Sequence, residues 1–194
     1  ARAQNNLGDA YYYGNGVKKD YAKAVKWYRK AAEQGYDAAQ HSLGYAYCNG
    51  EGVKKDPDKA VKYFRLAAEQ NNSNAQYCLG CSCERGKGVP KDRAEAVKWY
   101  EKAAEQDNAW AQNNLGELYY KGKGIPKDQK TAVKWFRRAA KQDNAEAEHN
   151  LGKACLEGEG VKANKTEALK WLRKAARQGH KKAQKLLDAL LSEK

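Results

Sequence analysis

The sequence contains no methionine. Ala1 is therefore not a translation start, and the chain reads as a mature or trimmed product whose missing end took any address with it. No secretory signal is visible. No apolar run approaches the roughly 20 residues that a membrane-spanning helix needs. Motifs for chemistry are missing too. There is no Ser-x-x-Lys, no Gly-x-Ser-x-Gly and no His-Glu-x-x-His, so no catalytic residue and no cofactor is expected. Cysteines are few and odd in number: Cys48, Cys78, Cys81, Cys83 and Cys155. Their positions ignore the period described below. That argues against a disulfide framework and leans toward a reducing compartment.

Charge of one sign is also short. Lys and Arg number 37 against 24 Asp and Glu, a formal net charge of +13. The excess is uneven: residues 3–110 hold 17 basic and 14 acidic side chains, residues 111–182 hold 17 and 8. An acidic partner or a phosphate surface could engage that second stretch. The plainer reading is a solvated outer helix face.

What the chain does have is a period. Leu-Gly recurs at Leu7-Gly8, Leu43-Gly44, Leu79-Gly80, Leu115-Gly116 and Leu151-Gly152, each 36 residues after the last. A period of this length marks a repeat architecture, in which each unit buries its apolar face only against its neighbours. The expected organisation is all-α: a single solenoid over residues 1–194, with helix-pair repeats at 3–38, 39–74, 75–110, 111–146 and 147–182. One capping helix follows at 183–194. It keeps Ala183 and Leu187 but has Asp188 at the glycine place, where no further helix need pack. No equivalent cap precedes the first pair, so more residues or a contact are expected ahead of Ala1.

Within a unit, Ala3, Leu7 and Tyr11 lie at i, i+4 and i+8, one stripe of a first helix. Gly8 sits beside that stripe. A mid-helix glycine costs about 1 kcal/mol relative to alanine, so its recurrence predicts close approach of a neighbouring helix. Gly14-Asn15-Gly16 ends the helix, and Val17 is expected to plug the loop into the core. Asp20, Asp56, Asp92, Asp128 and Asn164 then cap the second helices. Pro57 stands at a first helical position, where its missing donor is harmless. Asp92 and Glu95 match a capping box. Ala24, Tyr28 and Ala31 form the inner face of the second helix, and Trp27, Tyr63, Trp99, Trp135 and Trp171 give one large aromatic per unit. Gly35, Asn71 and Gly179 suit left-handed exits.

The pattern AxxxLGxxYxxGxGVxKDxxKAVKWYxKAA closely resembles the Sel1-like repeat family, a relative of the tetratricopeptide repeats, over essentially the whole chain. The resemblance implies a right-handed superhelix of antiparallel helix pairs, first helices on the concave side and second helices on the convex side. It implies an adaptor that holds proteins together, in many cases bacterial and located in the envelope or secreted. The compartment therefore stays open between that and the cytoplasm that unpaired thiols suggest. Some secreted members bridge the helices of each unit with a disulfide; here the corresponding pairs, such as Ala31-Ala32 and Ala103-Ala104, contain no cysteine.

Comparing units within the chain separates scaffold from cargo. Places equivalent to Leu7 and Gly8 hardly change, while those equivalent to Arg2, Asn5, Asp9, Tyr12 and Tyr13 change freely. These variable places lie on the other side of the first helix, where a stacked array has its groove. They supply His41, Tyr45 and Cys48 from the second unit, and Tyr77, Cys81 and Glu84 from the third. The fourth adds Trp110, Asn113, Glu117 and Tyr120, and the fifth His149 and Lys153. Aromatics interleaved with charges suit a protein or peptide ligand, since Tyr and Trp give large contact area at low entropic cost. Trp110 is either an anchor for that ligand or a tryptophan packed on the preceding helix; the residues leave both open.

CLGCSC is dense in thiols, but Cys83 falls at the core tyrosine place and no second CxxC exists, so no metal site is expected there. Cys155 repeats the tyrosine-to-cysteine change. His41 and His149 are three units apart and share no metal, and His180 sits in a turn. Gly14-x-Gly16 lacks both the strand and the Lys-Ser/Thr of a phosphate loop. Two functions remain from different classes: a non-catalytic scaffold that binds a peptide or partner domain in its groove, and a basic module for a polyanion or the cell envelope. Nucleic acid is the less favoured partner. Lys134, Arg137, Arg138, Lys170, Arg173 and Lys174 sit on second helices, which the resemblance places on the convex side.

Overall fold

The structure, a computed structural model, describes residues 1–192. Eleven α-helices account for its regular structure: α1 (Arg2–Tyr13), α2 (Tyr21–Ala32), α3 (Asp37–Asn49), α4 (Pro57–Glu69), α5 (Ser73–Arg85), α6 (Arg93–Glu105), α7 (Ala109–Lys121), α8 (Gln129–Ala140), α9 (Ala145–Glu157), α10 (Lys165–Arg177) and α11 (Lys181–Ser192). No strand occurs among the described residues. The fold is the all-α solenoid of five helix pairs that the period predicts. The chain divides into two compact units, Ala1–Trp99 and Tyr100–Lys194.

In the first unit, α1 pairs with α2 and α3 with α4, while α2 packs on α3 and α4 on α5. The recurring helix glycine explains the closeness of each pair. A Cβ on Gly8 would lie 2.6 Å from Tyr28 Cδ1, and one on Gly44 2.7 Å from Phe64 Cδ1. Real Cβ contacts are not that short, so the ring of the second helix sits where a methyl group would be. Tyr28 and Phe64 are buried as a result, among Ala24, Leu43, Ala60 and Leu79.

The second unit repeats this. α7 pairs with α8 and α9 with α10, α8 packs on α9 and α10 on α11. Gly116 faces Phe136 and Gly152 faces Leu172. Cys155 is wholly buried in the same core as Ala132, Phe136 and Leu151, with Val161 packed at its edge. In the first unit Cys83 is also buried. Burial pushes both thiols up, as expected of small core residues. The predicted last helix begins at Lys181, and its Ala183 and Leu187 close a small core with Leu172 and Ala175. Glu193 and Lys194, the end of the predicted capping segment, lie outside the described residues.

Turn chemistry follows the sequence closely. Asp20, Asp56, Asp128 and Asn164 each accept from the backbone N–H three residues on, and Asp92 does the same for Glu95. The Glu95 carboxylate accepts from Trp99 Nε1 at 2.8 Å, and the Asp92 N–H donates to Cys83 O at 2.9 Å, so the reciprocal half of the expected capping box is replaced. The second glycine of three loops has a separate task, which Gly16 of the first loop does not share. A Cβ on Gly52 would lie 2.3 Å from Tyr21 O, one on Gly88 2.2 Å from Pro57 O, and one on Gly160 2.1 Å from Gln129 O. Each such carbonyl belongs to the first residue of the preceding pair's second helix. Consecutive pairs therefore meet backbone to backbone at this point.

Two devices were not anticipated. Asn72, Asn108 and Asn144 cap the first helices α5, α7 and α9, each preceded by a residue at positive φ: Asn71, as the sequence predicts, and Asp107 and Asp143, which it does not single out. A glutamine pair also recurs at a separation of 30 residues. Gln34 Nε2 donates to Gln4 Oε1, Gln70 to Gln40 and Gln142 to Gln112, at 2.5, 2.7 and 2.9 Å. In the last repeat Gln178 donates instead to Glu148, at 2.8 Å.

Candidate functional site

Clefts open beside the first helices among the described residues. In the first unit, a cleft of about 230 Å³ lies at α3, α4 and α5. Tyr45, Cys48, Tyr77 and Cys81 line it, all variable first-helix residues, together with Cys78 and Phe64. Lys55, Arg85 and Lys87 also line it and are exposed. Tyr45 is 44 % exposed, whereas Tyr77 is half-buried against Cys81. The lining is mostly apolar and thiol, with positive charge beside it.

The Cys78 thiol is not poised for nucleophilic chemistry. Burial, with Cys81 and Cys48 nearby, pushes Cys78 up to about 12. His41 Nε2 stands 3.8 Å from Cys78 Sγ. Burial holds that imidazole below its ordinary range, so it stays neutral and does not stabilise a thiolate. None of the five cysteines is joined in a disulfide.

The second cleft of this unit, about 290 Å³, is lined by Asp9, Tyr12, Tyr13, Tyr28, His41, Ser42 and Tyr45. Two of its four tyrosines, Tyr12 and Tyr28, are engaged in the scaffold. Tyr28 donates to Asp9 at 2.8 Å, and Tyr12 donates to Glu51, in the next repeat's loop, at 2.7 Å.

In the second unit, Glu117, Tyr120, His149 and Lys153 share a cleft of about 280 Å³ with Lys121, Phe136, Glu146, Asn150 and Lys182. Tyr120 donates to Glu159, as Tyr12 does to Glu51. Lys121 pairs with Glu117. Asn113 is buried, its Oδ1 accepting from Asn150 Nδ2 at 3.0 Å, so its side chain joins α7 to α9. Trp110, the second residue of α7, is 59 % exposed. Glu84, near the end of α5, is half-buried.

At one end of this cleft the structure assembles a group that spacing alone did not bring together. The rings of His149 and His180 stack with centroids 4.8 Å apart. His180 Nε2 lies 2.9 Å from Glu146 Oε2, while its Nδ1 accepts from the Ala183 amide at 3.1 Å, capping α11. His149 Nδ1 is buried without a hydrogen-bond partner. Burial, His180 and Lys182 hold His149 below its ordinary range, against the pull of Glu146. Glu146 is pushed up by burial but pulled lower overall by His180. The signal available in sequence was Glu146-x-x-His149, two ligand types on one helix face. His180 joins them only because α10 returns the chain to that point.

Glu148 was also missed. It is wholly buried, with Lys174 Nζ 3.5 Å away. Its signal was internal: the same place holds Gln4, Gln40, Gln76 and Gln112.

Five successive stretches, residues 1–36, 37–72, 73–108, 111–144 and 145–180, match the Sel1 repeat. Among solved structures, a Sel1 repeat protein from Oxalobacter formigenes is similar at a TM-score of 0.92 and 40 % identity, over 97 % of this chain and 77 % of that one. A protective antigen of uropathogenic Escherichia coli strains, which displays an SLR fold, is similar at 0.90 and 38 % identity over 99 % of this chain. This chain spans only 41 % of that antigen's chain. An immunity protein from Pseudomonas aeruginosa is similar at 0.61 and 26 % identity, over 91 % of this chain and 68 % of that one. No curated protein matches the sequence. No helix among the described residues is long and apolar enough to cross a membrane.

Proposed function

The chain belongs to the Sel1 repeat family, whose members are generally protein-interaction scaffolds, and on that premise we propose that it is a non-catalytic adaptor whose first-helix face takes up a segment of a partner protein. One observation carries this reading: the cleft lined by Tyr45, Cys48, Tyr77 and Cys81. Its volume of about 230 Å³ falls below the ~300–1,000 Å³ of most small-molecule pockets. It suits one or two side chains of a longer ligand. Tyrosines that expose both ring and hydroxyl are favoured anchors in such contacts. Lys55, Arg85 and Lys87 select for acidic residues beside the inserted side chain. Trp110 is proposed as a separate anchor in the second unit, because a tryptophan so exposed on a helix contributes little to its own core.

The reading of no catalysis draws on the state of the cleft's chemistry. The Cys78 thiol is held protonated, and its neighbour His41 is held neutral.

Selection from a random peptide library tests the proposal. Enriched peptides are expected to carry an aromatic or aliphatic residue flanked by Asp or Glu. Tyr45→Ala with Tyr77→Ala should weaken them at least tenfold while Tm stays within a few degrees. Peptides that bind the double variant as well as the parent protein would remove the basis for this site.

A further inference from the structure

We infer that Glu146, His149 and His180 form a binding site for a divalent transition-metal ion such as Zn²⁺. One ligand atom from each residue lies within 4.8 Å of the others. Around a tetrahedral ion with bonds of about 2.0–2.2 Å, ligand atoms stand roughly 3.3–3.6 Å apart. Small side-chain rotations therefore close the site. Two imidazoles and a carboxylate suit zinc, cobalt or nickel and not the all-oxygen preference of calcium or magnesium.

The backbone supports the arrangement. Glu146 and His149 stand three residues apart on α9 and so share a face. The same Glu-x-x-His spacing is used where helices present metal ligands into a bundle. His180 comes to the site from the far side because the chain enters α11 there. His149 Nδ1 is also buried without a hydrogen-bond partner among the described residues, a condition that metal ligation would relieve. The adjoining cleft gives an entry path and leaves room for a fourth ligand. Lys153 and Lys182 line that cleft and oppose a cation, while Glu117 is already engaged by Lys121. Affinity is therefore that of a three-ligand site with unfavourable neighbours, below that of a closed structural zinc site.

Binding requires a proton rearrangement at His180. With Nδ1 accepting from the Ala183 amide, the neutral ring carries its proton on Nε2 and donates it to Glu146. Ligation through Nε2 moves that proton to Nδ1. The ring then loses its bond from Ala183, and Glu146 exchanges its hydrogen bond for the metal. No proton is gained or lost overall. The Ala183 amide should thus report occupancy.

The test is calorimetric titration of the chelator-stripped protein with Zn²⁺, and a parallel Co²⁺ titration followed by absorbance. One equivalent is expected to bind. The cobalt spectrum should show d–d bands without thiolate-to-metal charge transfer, and the Ala183 amide NMR signal should shift. Glu146→Gln and His149→Ala should each weaken binding at least tenfold, and neither residue caps a helix, so both variants should stay folded. The pair Cys78→Ser and Cys81→Ser should leave binding unchanged. Binding that follows the cysteine variants, or that survives His149→Ala and Glu146→Gln together, would overturn the assignment.

Discussion

Glu148→Gln should stabilise the protein, although it removes a buried group that touches a lysine. In the equivalent places, Gln76 Nε2 donates to Ala68 O at 3.3 Å and to Asn71 Oδ1 at 3.2 Å, and Gln112 Nε2 donates to Ala104 O at 3.0 Å and to Asp107 Oδ1 at 3.1 Å. The corresponding acceptors for residue 148 are Ala140 O and Asp143. A carboxylate can bond neither. One of its oxygens is buried without a hydrogen bond, apart from Lys174 Nζ at 3.5 Å. An amide recovers two donors' worth of hydrogen bonds, about 0.5–1.5 kcal/mol each, and keeps an oxygen for Gln178. The loss is smaller. Lys174 is 41 % exposed and retains Asp143 at 2.9 Å, so giving up its weaker contact costs roughly 0–1 kcal/mol. The net expectation is about 1–2 kcal/mol of added stability near neutral pH, read by urea denaturation. The pH dependence carries the sign. Burial holds Glu148 above its ordinary value despite Lys174. The folded state therefore binds that proton more tightly, and the wild type is favoured below the ordinary glutamate range and loses that stability as pH rises through the raised value. The variant's advantage should be full near pH 7 and shrink on acidification. A less stable variant, or an advantage that grows in acid, would show that the Lys174 contact dominates and refute the argument.

Other expectations follow from the same geometry. Gly116→Ala places a methyl group about 2.6 Å from Phe136 Cε1 and should destabilise by about 1–3 kcal/mol in thermal melts, and pairing it with Phe136→Leu should recover part of the loss. Asp128→Ala removes the acceptor for the Thr131 amide and should cost about 1 kcal/mol by denaturant titration, with Asp128→Asn close to wild type. His41 is held below its ordinary range by burial, so its contribution is intact at higher pH and falls away as pH drops below the unfolded value of about 6.5. Tm measured from pH 7.5 to 5 should fall less in His41→Asn than in the parent.

The constant half of each repeat was legible because physics there is local. Leu, Gly and the capping Asp act within one pair, and their recurrence made each a repeated measurement. The variable half was legible only as a set. Asn113 shares its helix place with His41, and each contacts the next repeat's first helix 37 residues on: Asn113 to Asn150, His41 to Cys78. What such a residue does depends on the neighbour's side chain, which the period does not specify. His180 escaped for a similar reason, since a turn residue becomes a neighbour of His149 only after α10 has folded back. The glutamine pairs were visible as constants, and only packing gave them a role.

The seating of Gly52, Gly88 and Gly160 against the opening carbonyl of the preceding pair's second helix has a consequence for how such a chain can lengthen. A joint made from main-chain atoms is indifferent to the side chains on either side of it. Duplicating a 36-residue segment brings its own fitting, whatever recognition surface the copy carries. Mutation can then diversify the binding face of each copy independently, because fit between modules and choice of ligand are written in different atoms.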